Sequence, residues 1–294
     1  MATLRELKGR IGSVASTEKI TGAMKMISSA KMHKAEGELR KLVPFRRQID
    51  TIIANLLSSD AEFTSPLTEV TPVEKVAIVA FGSDDGLCGA FNANLAKDVR
   101  SHIQELREQY GLGLKIEIYP IGKRMEKAML KLADANTIVR SGLSVNSKSD
   151  GQAVTDFGKA LVEEFTQHNV QRVDLDYMNF ISLSRQRPKA EQILPISTEM
   201  FASDKPKATV RPYIFEPNPE AIFRAVLPMF LLSTLQEVFC ENRASEQAAR
   251  VMAMQSANDN AKKLLEQLQL EYNKLRQQGI TNELLDIVGG QVRD

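Results

Sequence analysis

Both ends of this 294-residue chain are nearly free of proline and carry apolar residues at helical spacing, which limits its possible folds more than any other feature. From Thr3 to about Leu57 the single proline is Pro44. Leu4, Leu7, Ile11, Val14, Ile20, Met24 and Ile27 mark one stripe, resumed by Leu39, Leu42, Ile49, Ile52, Ile53 and Leu56. The stripe starts in strict three-four steps and then drifts, because Glu18 and Lys25 stand where a fixed heptad wants apolar side chains. At the other end Pro217-Asn-Pro219 is a helix start signal, and from Glu220 to about Val288 the one further proline is Pro228. Leu264, Leu265, Leu268, Leu270 and Leu275 continue the apolar pattern, and Ala249, Ala253, Ala257 and Ala261 form a row at spacing four that a second helix could approach closely. Pro44 and Pro228 predict local distortions. Helices of roughly 55–70 residues extend about 80–100 Å, and neither can bury its stripe alone. The simplest solution pairs the two as an antiparallel coiled coil, with the intervening residues closing the hairpin at its far end.

Those intervening residues read differently. Glu74–Phe81 is a buried-strand signal, followed by the loop Gly82–Gly89 and a helix from about Asn92 to Gln109. Lys115–Ile121 is a second strand with a helix after Gly122. A helix over Gln152–His168 precedes a strand over Arg172–Ser182, and Ala190–Ile196 and Arg211–Phe215 read as further short strands. Alternating strands and helices predict an α/β layered domain with a mostly parallel sheet. The expected architecture is a long antiparallel coiled coil of N- and C-terminal helices (1–57 and 217–294) with an inserted Rossmann-like α/β domain (58–216).

Composition removes several function classes. Lys and Arg number 38 against 37 Asp and Glu, a formal net charge of +1, so nothing here has the basic excess of a nucleic-acid binder. Cys88 and Cys240 are too few for a disulfide framework or structural zinc, and His33, His102 and His168 fit no ligand spacing. The longest uncharged apolar run, Ala225–Leu235, is short of the roughly 18–20 residues of a membrane span. The start, Met1–Lys8, has no apolar run behind its charges and does not read as a secretory signal. Residues 1–57 do hold 11 Lys/Arg against 5 Asp/Glu, a basic helix suited either to solvent or to an acidic surface.

No catalytic constellation stands out. The Gly-rich turn after the first strand is not G-x-G-x-x-G, and no G-x-x-x-x-G-K-[ST] occurs. Asp84 and Asp85 would put negative charge where a phosphate should sit. Cys88 has no histidine nearby in sequence and reads as a small buried residue. Asp174 and Asp176 sit at strand spacing and share one face, read as solvated. His33 lies on a Lys-rich segment and reads as surface.

Three segments, Ile11–Ile27, Ser83-Asp-Asp-Gly-Leu-Cys-Gly-Ala-Phe-Asn92 and Ser245-Glu-Gln-Ala-Ala-Arg-Val-Met-Ala-Met254, together with the ending Tyr272–Gly290, resemble the gamma subunits of F-type ATP synthases. The likeness covers the whole chain in the same order of parts and departs at Asp85, where that family often has Arg or Lys. It implies a non-catalytic rotor shaft without cofactor or metal, standing inside a ring of alpha and beta subunits. Its foot would meet the epsilon subunit and the membrane c-type ring. No extra cysteine-bearing segment of the chloroplast kind is visible, so a bacterial enzyme is implied, held peripherally on the cytoplasmic side of the inner membrane and not as a homo-oligomer. By the same resemblance Tyr213 and Glu216 mark the foot. Arg276, Gln277, Thr281 and Glu283 are polar catches on the catalytic subunits, and Leu284, Leu285, Ile287 and Val288 seat in an apolar collar. Met24 and Arg250 form a second pressure point. If the helix ends near 57 and 217 meet, facing residues sum to roughly 274, Met24 falls beside Arg250, and the helix beyond Asn273 is an unpaired overhang of about 30 Å. Two other readings stay open on the residues alone: an α/β nucleotide-binding enzyme with helical extensions, and a static coiled-coil scaffold.

Overall fold

The computed structural model describes residues 3–57, 63–199, 201 and 215–291, the last six by backbone only. Helix α1 (Leu4–Leu57) opens with a capping box. The Thr3 N–H donates to Glu6 Oε2 at 2.8 Å and the Glu6 N–H to Thr3 Oγ1 at 3.3 Å, so two free amides of the first turn are satisfied reciprocally. At the other end Asn218 caps the last helix, its Oδ1 accepting from the Ala221 N–H at 2.8 Å with Pro219 in the first position. Between them lie β1 (Lys75–Phe81), α2 (Phe91–Tyr110), β2 (Lys115–Ile121), α3 (Lys123–Met129), β3 (Thr137–Val139), α4 (Gly151–Thr166), β4 (Arg172–Ser182) and β5 (Arg185–Leu194). The closing helix is α5 (Pro219–Gln291). Both long helices run through their prolines, Pro44 and Pro228, without a break in the assigned helix.

The five strands form one sheet in the order β3-β2-β1-β4-β5, parallel except for the β4–β5 hairpin. The expected strands at 75–81, 115–121 and 172–182 are all present. β5 starts at Arg185, ahead of the expected Ala190, as an edge strand with Pro188 and exposed basic residues. β3, only three residues long, was not foreseen. The strand expected at Arg211–Phe215 falls almost wholly outside the described residues, and Phe215 itself is not in a strand.

One face of the sheet is covered by α2 and the other by α4 and α5. Phe81 meets the edge of Phe239 on α5 at 4.8 Å, and Tyr119 meets Phe157 on α4 at 6.3 Å. The insert therefore does not simply cap the hairpin. The first half of α5 is a layer of the α/β domain, burying Phe223, Leu227, Phe230, Leu231, Leu235 and Phe239 in its core. One 18-residue window of α5 has a mean hydropathy of 1.4, apolar enough to cross a membrane and longer than the uncharged run suggested. Of that window 56% is buried in the protein, the mark of a core helix.

The coiled coil keeps a heptad for its whole length. On α1 the covered positions run Leu7, Ile11, Val14, Glu18, Thr21, Lys25, Ser28, Met32, Ala35 and on to Leu56. On α5 they run Gln247, Val251, Met254, Asn258, Ala261, Leu265, Leu268, Tyr272 and Leu275. The drift expected at Glu18 and Lys25 does not occur. Those residues occupy seam positions and are answered by polar partners, Lys25 Nζ donating to Gln255 Oε1 at 2.6 Å and Asn258 Nδ2 to the Glu18 carbonyl at 2.6 Å and to Thr21 Oγ1 at 3.3 Å. The alanine row is used differently from the expectation. Ala253 faces Gly89, whose added Cβ would lie 3.7 Å from it, so small side chains admit the 83–90 loop as well as a helix.

Candidate functional site

The register is the first correction. Lys25 faces Gln255 and Gly22 faces Asn258, both pairs summing to 280, while Arg46 pairs with Glu237 at 2.9 Å. The expected 274 is about six residues, or about 9 Å, too low. The cause lies at the base. The first turns of α5 pack on the segment that follows α1, with Phe63 on Phe223 at 4.8 Å and Arg224 Nε donating to the Thr64 carbonyl at 3.4 Å, so the two helix ends do not meet. Met24 accordingly lies opposite the region of residue 256 and not beside Arg250. The two do line one groove of about 510 Å³ between α1, α5 and the 85–87 loop.

In that groove Arg250, only 6% exposed, turns away from α1. It donates to Glu246 Oε1 at 2.7 Å and through the same guanidinium to the Gly86 carbonyl at 3.2 Å. Burial pushes the Glu246 carboxyl up, opposed by the Arg250 charge. Lys148 pairs with Asp85 at 2.7 Å and Arg243 with Glu38 at 3.6 Å, which leaves Lys31 and Lys34 without an ion-pair partner among the described residues. The groove rim is therefore net basic.

A carboxylate of the loop after β1 ties it to two neighbouring segments. Asp84 accepts from the Lys123 N–H at 3.1 Å, the Ser147 N–H at 3.1 Å and the Ser147 hydroxyl at 2.8 Å. The amide at the start of α3, the short helix after β2, thus receives an internal anion. Leu87 holds φ at 63°, a left-handed backbone unusual for a leucine, and is 60% exposed on the groove. Cys88 is buried beside Asn92 Nδ2 (3.5 Å) and Ser83 Oγ (3.7 Å), as expected of a structural thiol. Among the described residues no cluster of three His, Cys, Asp or Glu could hold a metal ion.

The strand carboxylates are the second correction. Asp174 and Asp176 are fully buried beneath α2 and not solvated. His102 bridges them, Nδ1 lying 2.8 Å from Asp176 Oδ1 and Nε2 3.2 Å from Asp174 Oδ2, and Arg172 Nε donates to Asp174 Oδ1 at 2.8 Å. With a carboxylate at each ring nitrogen the imidazole carries both protons. Burial works against that charge, but the hydrogen bonds and charges of Asp174 and Asp176 outweigh it and push the pKa up to about 10. Two cations and two anions balance, so the cluster staples α2 to the sheet. Nothing in the linear spacing of residues 102, 174 and 176 shows it.

The far end of α5 is the third feature. With Lys25 opposite Gln255, Leu4 falls opposite about residue 276, and the helix from there to Gln291 extends about 22 Å beyond its partner, shorter than the expected 30 Å. Arg276, Gln277, Thr281 and Glu283 are exposed on it, and Leu284 and Leu285 are 58% and 64% exposed. Ile287 and Val288 continue the helical backbone. Glu216 is exposed at the opposite end, just before α5, and Tyr213 lies outside the described residues.

Known proteins resemble this chain along nearly its whole length. The family profile described as ATP synthase matches residues 3–292. The ATP synthase gamma chain of Bacteroides fragilis is 43% identical over 99% of this chain and 100% of its own length, and that of Bacteroides thetaiotaomicron is 40% identical over the whole of both. The gamma chain of Flavobacterium psychrophilum is 35% identical over 99% of this chain and 98% of its own. Among solved structures, a chain of the Euglena gracilis mitochondrial ATP synthase, in an assembly of OSCP, F1 and c-ring, superposes with a TM-score of 0.63. It is 19% identical and covers 98% of this chain and 93% of itself. A chain of the Tetrahymena thermophila central stalk and c-ring superposes at 0.54, covering 81% and 99%. With a full-length profile match and relatives above a third identical over nearly all of both chains, this chain belongs to the ATP synthase gamma chain family.

Proposed function

We propose that the chain is the central rotor shaft of its ATP synthase, without a catalytic site of its own, turning inside a ring of alpha and beta subunits. In this reading the foot, with Glu216 and Tyr213, contacts the epsilon subunit and the membrane c-type ring. The complex sits peripherally on the cytoplasmic side of a bacterial inner membrane. The observation that carries the reading is the unpaired end of α5, four turns of helix presenting Leu284 and Leu285 to solvent beyond the first residue of α1. Such a helix frays unless other apolar surface receives it. Seated in a collar, it is a bearing, with Arg276, Gln277, Thr281 and Glu283 as polar catches and Ile287 and Val288 further up the same helix.

The build matches the load. Each elementary charge driven across the membrane delivers about 2.3 kcal/mol per 100 mV, and several accumulate per ATP. A single exposed salt bridge, at roughly 0.2–1 kcal/mol, cannot hold that. A continuous seam along α1, about 80 Å, distributes it over many contacts. The asymmetric shaft presents the basic Lys31–Lys34 rim to one ring position at a time and biases each catalytic subunit in turn. ATP is then made on neighbouring chains, which fits a loop after β1 that carries Asp84 and Asp85 and no phosphate-binding motif.

Truncation tests this. A tagged chain ending at Asn273 should fail to hold the catalytic subunits on purification, whereas one ending at Gly290 should retain them and support ATP-driven proton pumping. A chain ending at Asn273 that still co-purified and pumped normally would overturn the bearing. A full-length chain that purified as a lone symmetric oligomer would favour the static scaffold.

A further inference from the structure

The seam between α1 and α5 has a polar section set into an apolar one. Leu7, Ile11 and Val14 precede it and Met32 and Ala35 follow it, whereas Glu18, Thr21, Lys25 and Ser28 occupy the covered positions between. Polar residues at such positions lower the stability of a coiled coil, and their best-attested use is to fix alignment. An apolar heptad seam is blind to a slide of one heptad, about 10 Å, because every covered position then lands on another. The residues that face each other here lie 230 and 240 apart in the chain, so no short turn chooses the alignment for them.

The polar section is specific in shape as well as in bonding. Asn258, 8% exposed, aims its carboxamide at α1 where Gly22 has no side chain. Its Nδ2 donates to the Glu18 carbonyl at 2.6 Å and to Thr21 Oγ1 at 3.3 Å, and the Thr21 hydroxyl donates on to the Thr17 carbonyl at 2.9 Å. A Cβ added to Gly22 would lie 3.3 Å from that Nδ2, whereas one added to Gly9, Gly12 or Gly37 would meet nothing within 4 Å. Glycine inside a helix costs stability relative to alanine, and of these four only Gly22 has a neighbour that needs the space. Alongside, Lys25 Nζ donates to Gln255 Oε1 at 2.6 Å, and Gln255 Nε2 donates to Asp259 Oδ2 at 2.7 Å, which settles which end of the amide meets the lysine. Over residues 4–35 these are the polar contacts of α1 with α5 among the described residues. Nearer the base Glu38 with Arg243 and Arg46 with Glu237 agree with the same alignment, as ion pairs on long, partly exposed side chains. Slid one heptad in one direction, Asn258 would come beside Val14 and Ala15, its buried amide unanswered. In the other direction Lys25 would come beside Lys262.

We propose that Gly22 and Asn258 are the register lock of the coiled coil: the carboxamide seated in the glycine notch, with Lys25 and Gln255 beside it, admits one alignment of α1 on α5 and rejects those a heptad away. Both are positioning residues. In the rotor-shaft reading, on which this last step rests, the lock also keeps the upper part of α1 from sliding along α5 under load.

Disulfide trapping reads the alignment without any partner. The probe is the full chain with Cys88 and Cys240 replaced by serine, refolded from urea under mild oxidation. Cysteines at Val14 and Leu265 meet in the observed register, and cysteines at Val14 and Tyr272 only after a slide of one heptad. With the lock intact, 14 should cross-link to 265 and about tenfold less to 272. Asn258→Leu should unfold at no lower a urea concentration than the wild type, yet raise the 14–272 cross-link about fivefold or more. A residue that merely supported the fold would do the opposite, losing stability and keeping the register, and that result would overturn the lock. If Asn258→Leu does not fold, the glycines carry the test. Gly12→Ala should stabilise the chain and leave trapping unchanged, whereas Gly22→Ala should raise the 14–272 cross-link. Trapping that Gly22→Ala leaves at the wild-type level would likewise overturn the lock. A wild-type chain that traps 14 with 265 alone, yet does not restore ATP-driven proton pumping to its complex, would sink the shaft reading and leave the lock standing.

Discussion

Replacing His102 by leucine tests the buried charge cluster and can be followed through pH. Among the described residues the imidazolium is the only cation in contact with Asp176, since Arg172 is bonded to Asp174. His102→Leu keeps most of the side-chain volume and removes that charge, stranding a fully buried carboxylate. Breaking a buried pair in this way costs about 3–5 kcal/mol. The linkage gives the same order: a pKa raised from 6.5 to about 10, at about 1.4 kcal/mol per pH unit, is a few kcal/mol. The sign follows from the folded value lying above the unfolded one. The contribution of His102 is fully present below about pH 6.5 and drains away as pH rises through about 10. Glu105 on α2 and Tyr110 beside Arg172 face the same region and are common to both proteins, whereas burial pushes the Asp98 carboxyl up against the His102 charge, so losing that charge shifts Asp98 in the same direction as Asp176. Urea unfolding of the full chain should therefore show wild type losing stability between pH 7 and 10 by a few kcal/mol more than His102→Leu. The variant should also recover at acid pH, because burial already pushes the Asp176 carboxyl up and protonation relieves it. Parallel stability curves for the two proteins from pH 5 to 10 would refute the imidazolium bridge.

Other consequences are simpler to check. Cysteines at Lys25 and Gln255 should form a disulfide on mild oxidation, and cysteines at Met24 and Arg250 should not, because the register places the latter pair about six residues apart along the axis. Trapping of 24 with 250 in preference to 25 with 255 would restore the lower register. Cys88→Ser should unfold within about 1.5 kcal/mol of wild type, since Asn92, Ser83 and the Asp85 carbonyl can satisfy the new hydroxyl. In the assembled complex it should couple normally, and lost ATP synthesis in an intact Cys88→Ser complex would show that the thiol has a role beyond packing.

Much of this was legible in the residues because it rests on periodicity. The two proline-poor ends, the buried strands at 75–81, 115–121 and 172–182 and the mostly parallel sheet follow from spacing and turn chemistry alone. What escaped was long-range pairing. Glu18 and Lys25 looked like breaks in the heptad, because a seam position is recognised by an apolar side chain and their partners Asn258 and Gln255 lie more than 200 residues away. Asp174 and Asp176 looked solvated, because alternation shows which residues share a face but not that a histidine arrives there from another helix. The register is not legible either, because periodicity gives no anchor once the two helix ends do not meet. Asn242, whose side-chain amide bonds the Gly82 carbonyl and the Met178 N–H where β1 and β4 part, lies inside an amphipathic helix where an asparagine carries no signal.

Rotation of the shaft can be watched directly. Leu112, 81% exposed at the turn between α2 and β2, accepts a cysteine for a gold or bead label on the α/β domain without touching the seam or the tip. With the complex fixed to a surface through its catalytic subunits and supplied with ATP, the label should rotate in one direction, in steps, and stop when hydrolysis stops. A label that stays in place while the same complexes hydrolyse ATP at their normal rate would contradict it.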